Sequence, residues 1–365
     1  MAASCNVGFQ GKGSGMRARD LGLACGALPP GARNSIADVP GVTVGHATIA
    51  EAEVLTGVTA VLPHDGDLFI DRPMAAAYVL NGFGKSVGLM EVNELGCLAT
   101  PILLTNTFGV GTCANALIRR AVRDNPEIGR QTSTVNPVVL ECNDGYLSDI
   151  QAMSVTEAHA NTAVETAAED FATGAVGGGA GMSCFGLKGG VGSASRQLRL
   201  DGTAWHLGVL VLANFGRSGD LRLPDGRRID PAAPLRSDPP PEQAEPPVET
   251  GSCIIVIGTD IPLEHRQLAR VAKRAGVGLA WCGSFWGNGS GDIALAFTTA
   301  NRMPPDADAP FLEHRVLAEA LIDRLFQAAA EATQEAVLDA LAGAETTVGR
   351  HGHRRVGLAE VMGRR

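Results

Sequence analysis

The sequence predicts an α+β fold whose strands are covered on both faces. Three observations carry this. Seven short apolar runs read as strands, and several are apolar at every position instead of alternate ones, which suits strands with packing on both sides. Stretches with helical spacing and helix-start signals lie between them. The chain also holds 46 glycines but only 4% aromatic residues, so small residues and close backbone approach do much of the packing.

Residues 1–16 read as a disordered lead-in, and 17–365 as one domain. The strand runs are 42–44, 59–62, 102–104, 138–140, 206–213, 254–257 and 293–297. Ser154-Val155-Thr156-Glu157 has the form of a capping box and opens a helix expected to end near Gly174. Pro262 suits the first turn of another helix, with Leu268, Val271, Ala272 and Ala275 on one stripe and a stop at Gly276. From 310 to 342, Leu317, Leu321 and Leu325 recur at i+4, a strong helical signal. Residues 217–250 carry eight prolines among Asp, Arg and Glu. Such a stretch builds no packed core and reads as an exposed, flexible loop. The apolar strands on either side of it belong in one sheet, so it reads as a cleavable loop inside a domain.

At 365 residues with 45% hydrophobic content, the chain can bury a sizeable core. A net charge of −9 and the lack of a basic tract argue against a nucleic-acid surface. No apolar run reaches the ~18 residues of a membrane span, and no secretory leader is visible at the N-terminus. The eight cysteines are scattered without a CxxC pair. This excludes zinc-ribbon and thioredoxin-type readings and suits reduced thiols in the cytoplasm.

The most informative segment is Gly251-Ser252, which directly precedes a β-branched run and directly follows the Pro-rich stretch. A mobile loop thus delivers a Gly-Ser bond to the first residue of a buried strand, the layout of a self-cleaving precursor. The Ser252 hydroxyl attacks the Gly251 carbonyl, and hydrolysis of the ester leaves Ser252 as a new N-terminus. Its α-amine titrates near ~8 and can act as base for its own hydroxyl. Other motifs are weighed around it. No G-x-S-x-G elbow exists, and His46 and His64 are read as surface or core residues. The clusters at 177–182 and 189–192 lack a dinucleotide or phosphate-loop pattern and read as tight backbone packing beside a pocket. Ser290 and Asp292, at i and i+2 entering a strand, can point one way and orient an amine. Asn214 ends a strand and can donate to a developing oxyanion. After the strand at 138–140, Glu141 offers a carboxylate for a substrate ammonium, and Tyr146 offers a phenol as donor. Each of these also suits a turn or a core position when taken alone.

Together these residues resemble the DmpA-type L-aminopeptidase/D-Ala-esterase-amidases and the BapA-type β-aminopeptidases, over about Arg17 to Gly352. The blocks that carry the likeness include 17–22, 34–46, Thr105-Asn106-Thr107, Asn143-Asp144-Gly145-Tyr146-Leu147, 184–190, Ala213-Asn214-Phe215-Gly216, Gly251-Ser252 and 288–292. The resemblance implies a four-layer αββα sandwich, layered like N-terminal-nucleophile hydrolases but connected differently. It implies self-cleavage at 251/252 into an α-chain 1–251 and a β-chain 252–365, with Ser252 as nucleophile. Ser290 and Asp292 would position its hydroxyl and amine, and Asn214 and Tyr146 would stabilise the oxyanion or touch substrate. Glu141 would bind the free amino group of a short peptide, aminoacyl amide or ester. Homo-oligomers of αβ units, often tetramers, would be expected, and the resemblance implies neither a metal nor an organic cofactor. Three departures stand out: Asp292 where β-aminopeptidases can carry Glu, Cys253 where an aliphatic residue is common, and an aromatic stretch at 281–287. Strand alternation turns Cys253 away from Ser252 and into the core. The nylon-oligomer hydrolases and the ornithine acetyltransferases share the layout but begin the second chain with Thr. A non-catalytic binding or structural subunit on the same scaffold is the remaining alternative.

Overall fold

The structure is a computed structural model that describes residues 15–231, 249–305 and 310–363. In chain order the first strands are β1 (Thr43–Glu51), β2 (Val54–Leu62) and β3 (Arg72–Gly82). Helix α1 (Leu89–Leu95), β4 (Ile102–Asn106), α2 (Val110–Asp124), β5 (Val138–Cys142) and α3 (Glu157–Glu165) follow. A two-residue pairing of β6 (Ser183–Cys184) with β7 (Leu187–Lys188) precedes the long hairpin β8 (Gly190–Leu200) and β9 (Thr203–Asn214). A short hairpin of β10 (Leu221–Arg222) and β11 (Arg228–Ile229) leads on to β12 (Thr250–Thr259), α4 (His265–Trp281), β13 (Gly289–Met303) and α5 (Ile322–Ala342).

Two sheets result. One has the order β1-β2-β4-β5 and the other β3-β13-β12-β9-β8. In the second, β12 is central, parallel to β13 and antiparallel to β9. Strand alternation then assigns the layers. Leu210, Leu212, Ile254, Val256, Leu295 and Phe297 meet Val61, Ile102, Leu104, Val138 and Leu140 of the other sheet in one buried cluster. The intervening residues Val211, Ala213, Cys253, Ile255 and Ala296 face α4 and α5, with Leu268, Val271, Ala275, Leu325 and Ala332. On the far side, Leu103 and Val139 pack on α2 and α3 through Leu117, Ala160 and Ala163. The sequence of layers is helix, sheet, sheet, helix, as expected.

All seven expected runs lie in strands, with Val42 just outside β1. The structure adds β3 and β8, whose Ala-, Gly- and Ser-rich sequences lack the bulky alternation that marks a strand. Helix α3 stops at Glu165, far short of Gly174, and its N-cap is Thr156, which accepts from the His159 N–H. Helix α4 runs through Gly276 without stopping. A Cβ at Gly276 would lie 2.8 Å from the Trp286 ring and 2.9 Å from Leu80, and one at Gly278, two residues on, 2.5 Å from the Ala330 carbonyl oxygen of α5, so both glycines serve close packing. Residues 310–318 are not helical, and α5 begins at Ile322 after a short 3-10 turn. The 189–192 cluster, at the start of β8, does pack tightly: a Cβ would fall 2.3 Å from the Ala213 carbonyl oxygen at Gly189, 2.1 Å from that of Gly174 at Gly190 and 2.0 Å from that of Ala336 in α5 at Gly192.

The stretch read as an exposed loop needs correction. Leu221, Leu223 and Ile229 are buried in the helix-side core, and the β10/β11 hairpin runs through them. Apolar residues at 221, 223 and 229 outweigh the local proline content. Residues 232–248 of that stretch, and 1–14 of the lead-in, lie outside the described residues.

Candidate active site

The site forms where β12 starts and β9 and β5 end. Ser252 sits third in β12, paired with Asn214 on one side and with Gly291 on the other. Its hydroxyl is buried and has no hydrogen-bond partner among the described residues. An orphaned buried hydroxyl costs about 1–3 kcal/mol and calls for an explanation, of which a catalytic role is one. Gly251 has φ +135°, and a Cβ there would lie 2.1 Å from the Asn214 carbonyl oxygen. Only glycine takes this conformation in this space. The second sheet also touches the first here, since the Cys142 thiol at the end of β5 donates to the Ser252 carbonyl at 3.4 Å. Burial pushes that thiol well above its usual range, so it stays neutral.

On β13, Gly291 lies between Ser290 and Asp292, both buried. The Ser290 hydroxyl donates to Asp292 Oδ1 at 3.0 Å, while Oδ2 has no partner among the described residues. Burial pushes the Asp292 carboxyl up to about 7. The bond from Ser290 opposes this, the Glu249 charge reinforces it, and the Cys253 backbone N–H opposes it again. A carboxyl near neutrality can exchange protons at working pH. The Cys253 side chain is buried on the helix side, as alternation requires.

Asn214 ends β9, buried, with both ends of its amide in use. Oδ1 accepts from the Ser183 N–H at 2.9 Å, and Nδ2 donates to the Asn143 carbonyl at 2.9 Å. An amide nitrogen carries two protons, so a second remains for another acceptor. Glu141 is buried near the end of β5, where Oε1 accepts from the Lys85 N–H at 2.8 Å and Oε2 from the Thr107 hydroxyl. The 83–85 segment that it holds also lies over Gly291, whose Cβ would meet the Phe83 carbonyl oxygen at 2.4 Å. Tyr146 stands apart, 40% exposed. Its ring stacks on His353 with centroids 4.6 Å apart, and the Arg355 guanidinium lies 3.6 Å above it. Ser252, Asn214, Ser290 and Asp292 therefore lie on three adjacent strands, but Asp292 pairs with Cys253 and by alternation shares its helix-side face, opposite the face that carries the Ser252 side chain. Glu141 joins them through the 83–85 segment, and Tyr146 only through its loop.

Sequence reasoning missed several supports. Lys188 is buried and donates to the carbonyls of Gly179, Met182 and Gly189 at 3.0, 3.0 and 2.7 Å. This ties down the turn whose Ser183 N–H orients Asn214. Burial lowers its ammonium to about 7 and raises the nearby Asp144 to about 6, partly offset by their mutual attraction. Asn81 donates to the carbonyls of Gly287 and Ser290. Glu249, two residues before Gly251, is buried and accepts from Ser284, Phe285 and Gly287. A lone Glu in a Pro-rich stretch carries no signal in the sequence.

The family model for peptidase family S58 matches residues 34–355. The chain belongs to that family. It is 36% identical over 364 residues to the β-peptidyl aminopeptidase BapA of Sphingosinicella microcystinivorans, covering 93% of this chain and 88% of that protein. A solved protein of Pyrococcus horikoshii OT3 superposes with a TM-score of 0.87 at 44% identity, over 95% of this chain and 98% of the other. The L-aminopeptidase D-Ala-esterase/amidase of Ochrobactrum anthropi superposes with a TM-score of 0.83 at 35% identity, over 94% and 95%. That enzyme is described as a prototype for the serine aminopeptidases and a new variant among the Ntn hydrolase fold, in keeping with the αββα layering here. The chain is a hydrolase of the aminopeptidase kind. No helix among the described residues is long and apolar enough to cross a membrane.

Proposed function

We propose that this S58 hydrolase matures by cutting itself between Gly251 and Ser252, then uses Ser252 to release N-terminal residues from short peptides, amides or esters. The observation that carries this is an orphaned, buried Ser252 hydroxyl directly after a glycine held at φ +135°. In maturation, Ser252 Oγ attacks the Gly251 carbonyl carbon. The C–N bond breaks, the hydroxyl proton passes to the departing nitrogen, and water hydrolyses the ester to a Gly251 carboxylate and a free hydroxyl. In turnover, the new α-amine takes the hydroxyl proton as Oγ attacks the substrate carbonyl. Ser290 and Asp292 orient that amine. The remaining Asn214 amide proton stabilises the oxyanion, with the Tyr146 phenol as second donor from the loop that Asn143 anchors. Glu141 binds the substrate ammonium, and water then hydrolyses the acyl-enzyme.

The names of the relatives support a free-amine substrate: a β-peptidyl aminopeptidase and an L-aminopeptidase D-Ala-esterase/amidase. We read the mature form as a homo-oligomer of αβ units, supported by exposed Phe83, Met90 and Phe285. A cytoplasmic location is supported by seven free, buried cysteines among the described residues. The test is a panel of α- and β-aminoacyl anilides, each with its N-acetylated counterpart. Hydrolysis confined to the free amines is expected. Equal hydrolysis of the acetylated compounds would contradict amine recognition by carboxylates.

A further inference from the structure

Glu249 is buried at the threshold of the site, and its carboxylate is fully engaged by a single turn. Oε1 accepts from the Ser284 hydroxyl at 2.5 Å, and Oε2 accepts from the backbone N–H groups of Phe285 and Gly287 at 3.2 and 3.3 Å. A hydroxyl and two alternate N–H groups of one turn, with the Trp286 N–H between them held by the Ser284 hydroxyl at 3.2 Å, form a fixed receptor for one carboxylate. The contact is close on the backbone side as well, since a Cβ at Gly287 would lie 2.6 Å from the Glu249 carbonyl oxygen. The same turn runs straight into the reacting strand. The Gly287 carbonyl accepts from the Ser290 N–H at 2.8 Å and from the Asn81 amide at 3.0 Å. Two residues beyond Glu249, Gly251 is pressed on the Asn214 carbonyl. The chain before the proposed cleavage bond is thus fixed at both ends of a three-residue span. One anchor is the turn that positions Ser290, and the other is the residue that pairs with Ser252.

We propose that Glu249 is the positioning residue of self-cleavage: by docking in the 284–287 turn it holds the Gly251 carbonyl in place for Ser252 and fixes that turn relative to Ser290 and Asp292. This rests on the reading of Ser252 as the maturation nucleophile. A free tail would sample many conformations, whereas a docked one presents a single carbonyl to a single hydroxyl. Misplacement by about 1 Å can cost on the order of 10²-fold in rate. Glu249 has a second, electrostatic effect, because its negative charge helps keep the Asp292 carboxyl high. Where cleavage requires the Asp292 carboxylate, removing the charge moves the acid-side midpoint of cleavage to lower pH, which a purely structural residue would not do.

The experiment follows freshly translated full-length chain by denaturing gel and intact mass across pH, for wild type, Glu249→Gln, Ser284→Ala and Ser252→Ala. Glu249→Gln is expected to cleave about 10- to 100-fold more slowly, with its pH midpoint lowered. Ser284→Ala keeps the charge and both backbone donors, so it is expected to slow cleavage several-fold with the midpoint unmoved. It also keeps the test valid should the glutamine variant fail to fold. Cleavage of both variants at the wild-type rate, or of Ser284→Ala alone where Glu249→Gln is unfolded, overturns the proposal. Ser252→Ala separates the two readings. If it stays whole while the Glu249 and Ser284 variants cleave normally, only the positioning role fails; if it too is cut, the nucleophile is elsewhere.

Discussion

Replacing Asp292 by Asn tests the electrostatics of the site, and its effect can be worked from the structure. The comparison is best made in a Ser252→Ala background, so that both proteins remain single chains. The Asp292 carboxyl moves from an ordinary 3.8 to about 7 in the fold, chiefly through burial. Between those values the unfolded chain has lost the proton and the folded chain keeps it. The folded state binds more protons, so this group's contribution falls as pH rises from about 4 to about 7. A displacement of roughly 3 units at ~1.4 kcal/mol each sets a ceiling of about 4 kcal/mol across that window. Asn is nearly isosteric and does not titrate. Urea unfolding of the two proteins at half-unit pH steps gives the difference directly. Relative to the Asn variant, the Asp protein should be most stable near pH 4 and lose up to ~1.4 kcal/mol per pH unit toward neutrality. A difference that stays constant with pH would refute the argument that Asp292 is held protonated in the fold.

Two further substitutions test the neighbours of Ser252. Asn214→Ala should lower kcat on an aminoacyl anilide by about 10²–10³ if its amide faces the oxyanion; steady-state kinetics on cleaved protein would show this, and an unchanged kcat would remove Asn214 from the chemistry. Gly251→Ala places a Cβ 2.1 Å from the Asn214 carbonyl oxygen at a residue with φ +135°, so the altered chain should stay largely uncut on a denaturing gel.

Much of the fold is legible in the sequence because burial on both faces writes itself as unbroken apolar runs. The strands through Ile254–Ile257 and Val209–Leu212 are such runs. β3 and β8 escape notice because Ala, Gly and Ser fill positions where helices pack closely on the sheet. Gly276 reads as a helix stop, but α4 needs it for packing, and tertiary context overrides local propensity. At the candidate site, Ser252, Ser290, Asp292 and Asn214 are visible because small polar residues interrupt or end apolar strands, and their places on neighbouring strands follow from strand order. Glu249, Asn81 and the Lys188 carbonyl cage are not visible. Each acts through backbone groups of a distant turn, and no spacing rule links them. Tyr146 offers a phenol just after a strand, but residue type and position say nothing of where its ring points. The structure gives it His353 and Arg355 as neighbours.

The central claim is that one serine, released from inside the chain, supplies both oxygen nucleophile and nitrogen base. Intact mass and N-terminal sequencing of purified wild type and Ser252→Ala, with activity measured on the same samples, test it most directly. The account predicts a wild type in two pieces, the second beginning at Ser252, and an Ala variant that is whole and inactive. A wild type that remains one uncut chain yet hydrolyses aminoacyl amides at full rate would contradict it.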